Sequence, residues 1–152
     1  MDVKTTFYDA SYIYMCHREK LSLISEEWLQ SADKLREINA GPKILYSLEM
    51  GVELSIKALL LYHGIDFPKS HNILAAVLSL ISSDKIDDDE IRENAELIIS
   101  TFHALLDLKS ASGYSYESSY SHEFFIEKAE EYYGPASQVL ALIKRHIKYK
   151  NK

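Results

Sequence analysis

Four polar side chains, Tyr46, Glu49, Glu53 and Lys57, interrupt the most apolar stretch of the chain at spacings of three and four residues, so they share one strip of a helix. Glu53 and Lys57 are an acid and a base at i and i+4. The plain reading of that pair is a solvated surface contact contributing about 0.3–0.5 kcal/mol. Six histidines, His17, His63, His71, His103, His122 and His146, are scattered, and no two stand at the i, i+4 spacing of a helical metal pair. His71 and His103 could meet in space, but a lone histidine at a helix start or within a helix is more often a capping or buried hydrogen-bonding residue. Neither a phosphate-cradling glycine loop nor a nucleophile elbow is present.

Three further segments carry polar chemistry. Residues 84–90 are acidic but lack the central glycine and alternating oxygen ligands of a calcium loop; Asp87 with Glu90 reads as a capping box. Residues 110–120 are rich in Ser and Tyr around Gly113 and form the longest loop in which function could reside. The C-terminal run Lys144, Arg145, His146, Lys148, Lys150 and Lys152 could touch RNA or an acidic membrane, although cations also suit a helix C-terminus.

The elements that must position these residues are helical throughout. Five glycines and three prolines punctuate the chain, and no period-two alternation argues for strands. An aromatic arm or short helix over residues 1–25 (Phe7, Tyr8, Tyr12, Tyr14) precedes a stripe of Trp28, Leu29, Ala32, Leu35 and Arg36. Gly41 is expected to cap that helix and Pro42 to open the next. The helix over residues 42–63 is apolar on two faces: Leu45, Leu48, Val52, Ile56 and Leu59 on one, Met50, Leu54, Ala58 and Leu61 opposite. Such a helix is central, or else it covers a partner subunit, and a homodimer is expected on that ground. Gly64 stops it, and Ser70 is expected to cap a helix beginning near His71 and ending near Ser82. The next helix aligns Ile91, Ala95, Ile98, Phe102, Leu105 and Leu106. The last keeps Phe125, Ala129, Tyr132, Ala136, Val139, Leu140, Ile143 and Ile147 in register across Gly134-Pro135, which predicts one helix kinked at Pro135.

Composition narrows the function. The 152 residues suit one domain, with 47% apolar and 26% charged residues as in a soluble globular chain. A net charge of -6 argues against wrapping a phosphate backbone with the whole surface, so RNA contact would have to be local. Cys16 is alone, which rules out a disulfide or a cysteine metal cluster within one chain and fits a reducing, cytoplasmic setting. No apolar run approaches the roughly 20 residues of a membrane span, and the first residues do not read as a secretion signal.

Residues 48–73 resemble the central segment of the HEPN family. That family shows an apolar helix with Glu and, four residues on, Lys-Ala-Leu, then a Gly turn and Pro-Lys-Thr/Ser-His. Here Glu53, Lys57, Gly64, Pro68, Lys69, Ser70 and His71 hold those places in order, and the resemblance extends over roughly residues 26–147. It implies an all-α, up-and-down bundle of four to five helices over residues 26–148, followed by a basic tail at 149–152. It also implies dimerisation and, in many relatives, a minimal nucleotidyltransferase partner in a toxin and antitoxin pair. Ribonuclease members carry an Arg-x4-His-x-Tyr pattern. In the matching place this chain has Lys109, Tyr114 and Tyr116. RNA cleavage requires a group titrating near neutrality to move the 2′-hydroxyl proton; tyrosine, titrating near 10, stays protonated at pH 7. Lys109 can hold a phosphate but lacks the fork of Arg.

The expectation is therefore a non-catalytic HEPN-type module in a toxin-antitoxin or defence context. Its groove is formed by Glu53, Lys57, His71, Lys109, Tyr114 and Tyr116, and it takes a nucleotide or docks a nucleotidyltransferase, with no catalytic residue, metal or cofactor assigned. Tyr116 holds the place of a tyrosine that, in resembling systems, the partner modifies. Two alternatives stand beside it: a ribonuclease toxin using a relocated histidine, His103 or His122, and a purely structural dimerisation domain.

Overall fold

The computed structural model describes residues 10–83, 89–113 and 119–150, with side chains over 20–83, 90–112 and 119–148. Among these residues six helices are present: α1 Ala10–Arg36, α2 Gly41–Tyr62, α3 Leu74–Ile81, α4 Asp89–Glu93, α5 Ala95–Gly113 and α6 His122–Lys150. Helices α1, α2, α5 and α6 make the bundle, and α3 and α4 are short connecting pieces. No described helix is long and apolar enough to cross a membrane.

Helix α2 is the hub, packed against α1, α5 and α6. Its first predicted apolar face is consumed inside the chain, with Leu45, Leu48, Val52, Ile56 and Leu59 buried; on the opposite face Ala58 and Leu61 are buried while Met50 and Leu54 are half-buried. The two-sided pattern is thus that of a central helix. A central place accounts for most of that pattern without a second subunit. Phe102 and Leu105 of α5 and Phe125, Ala136, Val139 and Ile143 of α6 complete the core in the expected register.

Several local expectations change. The one helix expected to align Ile91 through Leu106 is divided at Asn94 into α4 and α5, and α5 runs on to Gly113, so residues 110–113 of the expected loop are helical. Over the described residues helix α1 runs from Ala10 across residue 25 without a break, so residues 10–25 of the expected arm belong to it, and Phe7 and Tyr8 lie outside the described residues. The left-handed residue after α1 is Asn39, at φ 53°, rather than Gly41. Asparagine tolerates that region because its short amide can hydrogen-bond locally. Gly41 instead opens α2 pressed on α6, where a Cβ would stand 2.7 Å from the Ile126 backbone nitrogen. Lastly, α3 starts at Leu74, not near His71: Asn72 Oδ1 accepts from the Leu74 amide at 3.2 Å, while the Ser70 hydroxyl donates to the Asn72 carbonyl at 3.1 Å. Ser70 and His71 therefore stay in the connector.

Gly64, at φ 69°, ends α2 as its sequence position implies. Helix α6 passes through Pro135 as one element. Proline has no N–H to donate four residues back, so the helix forgoes one hydrogen bond there. What keeps it whole is its apolar stripe, buried from Phe125 to Ile147.

Three residues of the basic C-terminal run engage the bundle. Lys144 pairs with Glu26 of α1 and Arg145 with Glu90 of α4. His146 is buried, and its Nε2 lies 2.8 Å from His63 Nε2 at the end of α2.

Candidate functional site

The polar strip of α2 is not a solvated edge. Glu49 is 0% exposed and Glu53 1%, one turn apart in the middle of the hub helix. The expectation of a surface pair fails because α5 and the connector after α2 cover that strip, which periodicity within α2 cannot reveal. A buried carboxylate requires compensation, since removing it from water costs several kcal/mol.

Each carboxylate has a cation. Lys57 Nζ donates to Glu53 Oε2 at 3.1 Å, and Lys109 Nζ, arriving from α5, stands 3.0 Å from Glu49 Oε2. The two ammonium side chains are only 12% and 13% exposed. His71, held in the connector, adds its Nδ1 to Glu53 Oε1 at 3.0 Å while remaining 59% exposed. The sequence-predicted residues Glu53, Lys57, Lys109 and His71 are thus gathered around one carboxylate pair. Tyr114 and Tyr116 lie outside the described residues.

The two ion pairs differ in quality. Glu53 is hydrogen-bonded by both Lys57 and His71. Lys109 approaches Glu49 at ion-pair distance but poorly aligned, with its Nζ also 3.7 Å from Met50 Sδ, and neither Glu49 oxygen has an aligned hydrogen-bond partner among the described residues. Burial, reinforced by the neighbouring Glu53 carboxylate and only partly opposed by Lys109, pushes the Glu49 carboxyl up to about 8. Glu49 is thereby pushed toward its protonated form. In that form the cluster holds two ammonium groups against one carboxylate.

An aromatic wall adjoins the cations. Lys109 Nζ sits 5.2 Å from the centroid of the Tyr46 ring, which is partly exposed and meets Trp28 of α1 edge-on at 5.8 Å. Lys57 lies 5.7 Å from the Phe67 ring centroid. Sequence reading placed Tyr46 and Glu49 on the strip but did not count them as site residues. The i, i+3 spacing from Tyr46 to Glu49 and the i, i+4 spacing from Glu49 to Glu53 were the available signal, and only the approach of Lys109 makes it meaningful.

The relocated-histidine idea finds a different histidine. His103 lies on the exposed side of α5, 3.9 Å from Asp107, and His122 is exposed at the first residue of α6. The imidazole that the fold brings to the carboxylates is His71. No group of three or more His, Cys, Asp or Glu side chains among the described residues is arranged to hold a metal ion.

Comparison with known proteins adds one finding: the family model for the HEPN domain matches residues 19–146. No curated protein and no solved structure matches the chain.

Proposed function

The chain belongs to the HEPN family, and from that premise we propose that it is a non-catalytic binding module whose α2–α5 cluster takes the anionic part of a nucleotide. One observation carries the reading. Lys57 and Lys109, 52 positions apart in sequence, converge from two helices on a buried carboxylate pair whose Glu49 member is pushed toward its neutral form by burial. The surplus ammonium suits a phosphate. The exposed Tyr46 ring beside Lys109 suits a base, because every nucleobase offers a π-face for stacking.

Docking of a minimal nucleotidyltransferase in a toxin-antitoxin or defence setting is part of the same proposal, since a partner that handles nucleotides would meet the module at its nucleotide site. Tyr116 is the residue proposed for modification by that partner. A homodimer is proposed on the family's habit alone.

A second reading, residual RNA cleavage, is favoured by one contact: Glu53 orients the exposed His71 ring, as a carboxylate orients an acid-base histidine. One experiment addresses both. Purified protein is titrated with ATP by calorimetry and incubated in excess with single-stranded RNA. The binding reading expects measurable ATP affinity that falls at least tenfold in Lys57→Ala/Lys109→Ala, an unchanged helical spectrum and intact RNA. Loss of neither ATP nor partner binding in the double variant would remove this cluster as the functional site. RNA cleavage abolished by His71→Ala would establish the second reading instead.

A further inference from the structure

Glu49 is the least satisfied polar group of the cluster: fully buried, one turn from a second carboxylate, and met by a single cation that is poorly aligned with it. Glu53 engages Lys57 and His71 and has nothing to give up. Lys109 is in a different position, because among the described residues its only close acidic neighbour is Glu49, and its other contacts there are the Met50 sulfur and the Tyr46 ring. Its attachment depends on whether Glu49 is charged.

We propose that Glu49 is a proton-carrying member of the anion site: with its proton it leaves Lys109 to a bound anionic group, and without it takes Lys109 back. The inference rests on the anion-binding reading above and extends it to a residue and a regulation of that site. The charge arithmetic is local. When Glu49 is protonated, Lys57 and Lys109 face only Glu53, and an arriving anion completes two neutral pairs. When Glu49 is ionised, the two pairs are already complete, and an anion arriving at Lys109 meets two buried carboxylates. Binding in that regime requires Glu49 to take one proton from solvent, so the anion and one proton bind together.

The charged and titratable groups bearing on Glu49 among the described residues are few. Glu53, with Tyr46 one turn before, comes from its own helix, and Lys109 from α5; Lys57 and His71 act on it through Glu53. Of these, Lys109 and Glu53 set the balance. Burial and Glu53 favour the protonated acid, and Lys109 opposes them. An anion that neutralises Lys109 weakens the opposing influence, so bound anion and Glu49 proton reinforce each other. The linkage is reciprocal, as binding linkage must be.

Sulfate is the direct probe, because it keeps the same charge throughout the relevant pH range. It is titrated into the full chain at fixed ionic strength, followed by NMR shifts of the α2 and α5 amides, from pH 7 to 9.5. Wild-type affinity should fall with a slope approaching tenfold per pH unit above about pH 8, the limit for uptake of one proton. Glu49→Gln mimics the protonated acid and should show a shallow slope reflecting only the lysines, while Lys109→Ala should lose sulfate binding. Equal slopes in wild type and Glu49→Gln, or absence of sulfate binding to the wild type, would overturn the proposal. A flat wild-type profile overturns it even if the variant does not fold. ATP is run in parallel. Sulfate binding with the expected slope but no ATP binding upholds the role of Glu49 and defeats the nucleotide reading alone.

Discussion

Glu53, in the middle of α2, accepts a hydrogen bond from His71, 18 residues further on, at 3.0 Å from ring nitrogen to carboxylate oxygen. The contact ties the connector after Gly64 back onto the hub helix, and it does so through a carboxylate that is itself buried and already paired with Lys57. Position and charge balance are thus fixed by the same side chain.

Glu53→Ala is expected to destabilise the fold by about 3 kcal/mol, because it strands the Lys57 ammonium in a largely buried place and frees the connector. Urea unfolding followed by helical circular dichroism measures it. A loss below about 1 kcal/mol, the range of an exposed pair, would mean that the cluster is solvated after all.

Glu49→Gln should stabilise the protein, and more so as the pH rises. The Glu49 carboxyl titrates near 4.5 in an ordinary setting and near 8 in the folded chain. Between those values the folded state keeps a proton that the unfolded state has released, so this group's contribution to stability is full below about 4.5 and is lost as pH rises to about 8. Glutamine has no proton to lose. The variant's advantage over wild type should therefore grow between pH 5 and pH 8, by on the order of 3 kcal/mol. Denaturant midpoints at the two pH values give the difference, and an advantage independent of pH would contradict the assignment.

Gly41→Ala should cost about 2 kcal/mol, the usual penalty of forcing extra volume into a close-packed contact. The added methyl would stand 2.7 Å and 2.8 Å from backbone atoms of Ile126 and Phe125, which cannot rotate away. Helix propensity acts in the opposite direction, favouring alanine by up to about 1 kcal/mol. A thermal scan showing higher stability would indicate that α2 and α6 are further apart than described.

The histidine pair at the end of the bundle should be energetically coupled. His63 and His146 meet Nε2 to Nε2 at 2.8 Å, so one ring must donate and the other accept, and Tyr62 packs edge-on against both. His146→Ala is expected to lose about 2 kcal/mol, from a vacated buried site and the loss of its contact with His63. A double-mutant cycle with His63→Ala should return a coupling of about 1 kcal/mol. Strict additivity of the two substitutions would show the contact to be incidental.

By itself the sequence determined the helices and their inward faces. Apolar residues recurring with the period of a helix are a local property of the chain, and so are the stop at Gly64 and the opening at Pro42. The Phe125 to Ile147 stripe of α6 could be read through Pro135 for the same reason: register is a matter of counting. The Glu53, Lys57 and His71 spacing was legible too, and with it the family. Tertiary structure alone decided what the α2 strip is. Counting along α2 puts Tyr46, Glu49, Glu53 and Lys57 on one side but says nothing of what lies over that side. It is α5, crossing with Lys109, and the connector, returning with His71, that take the two carboxylates out of water. The upward shift of Glu49 follows chiefly from that desolvation, a quantity set by every neighbour at once, to which Glu53 one turn along the same helix adds. The central place of α2 was decided in the same way, since a helix apolar on two faces reads identically whether its second cover is a sister helix or a second chain.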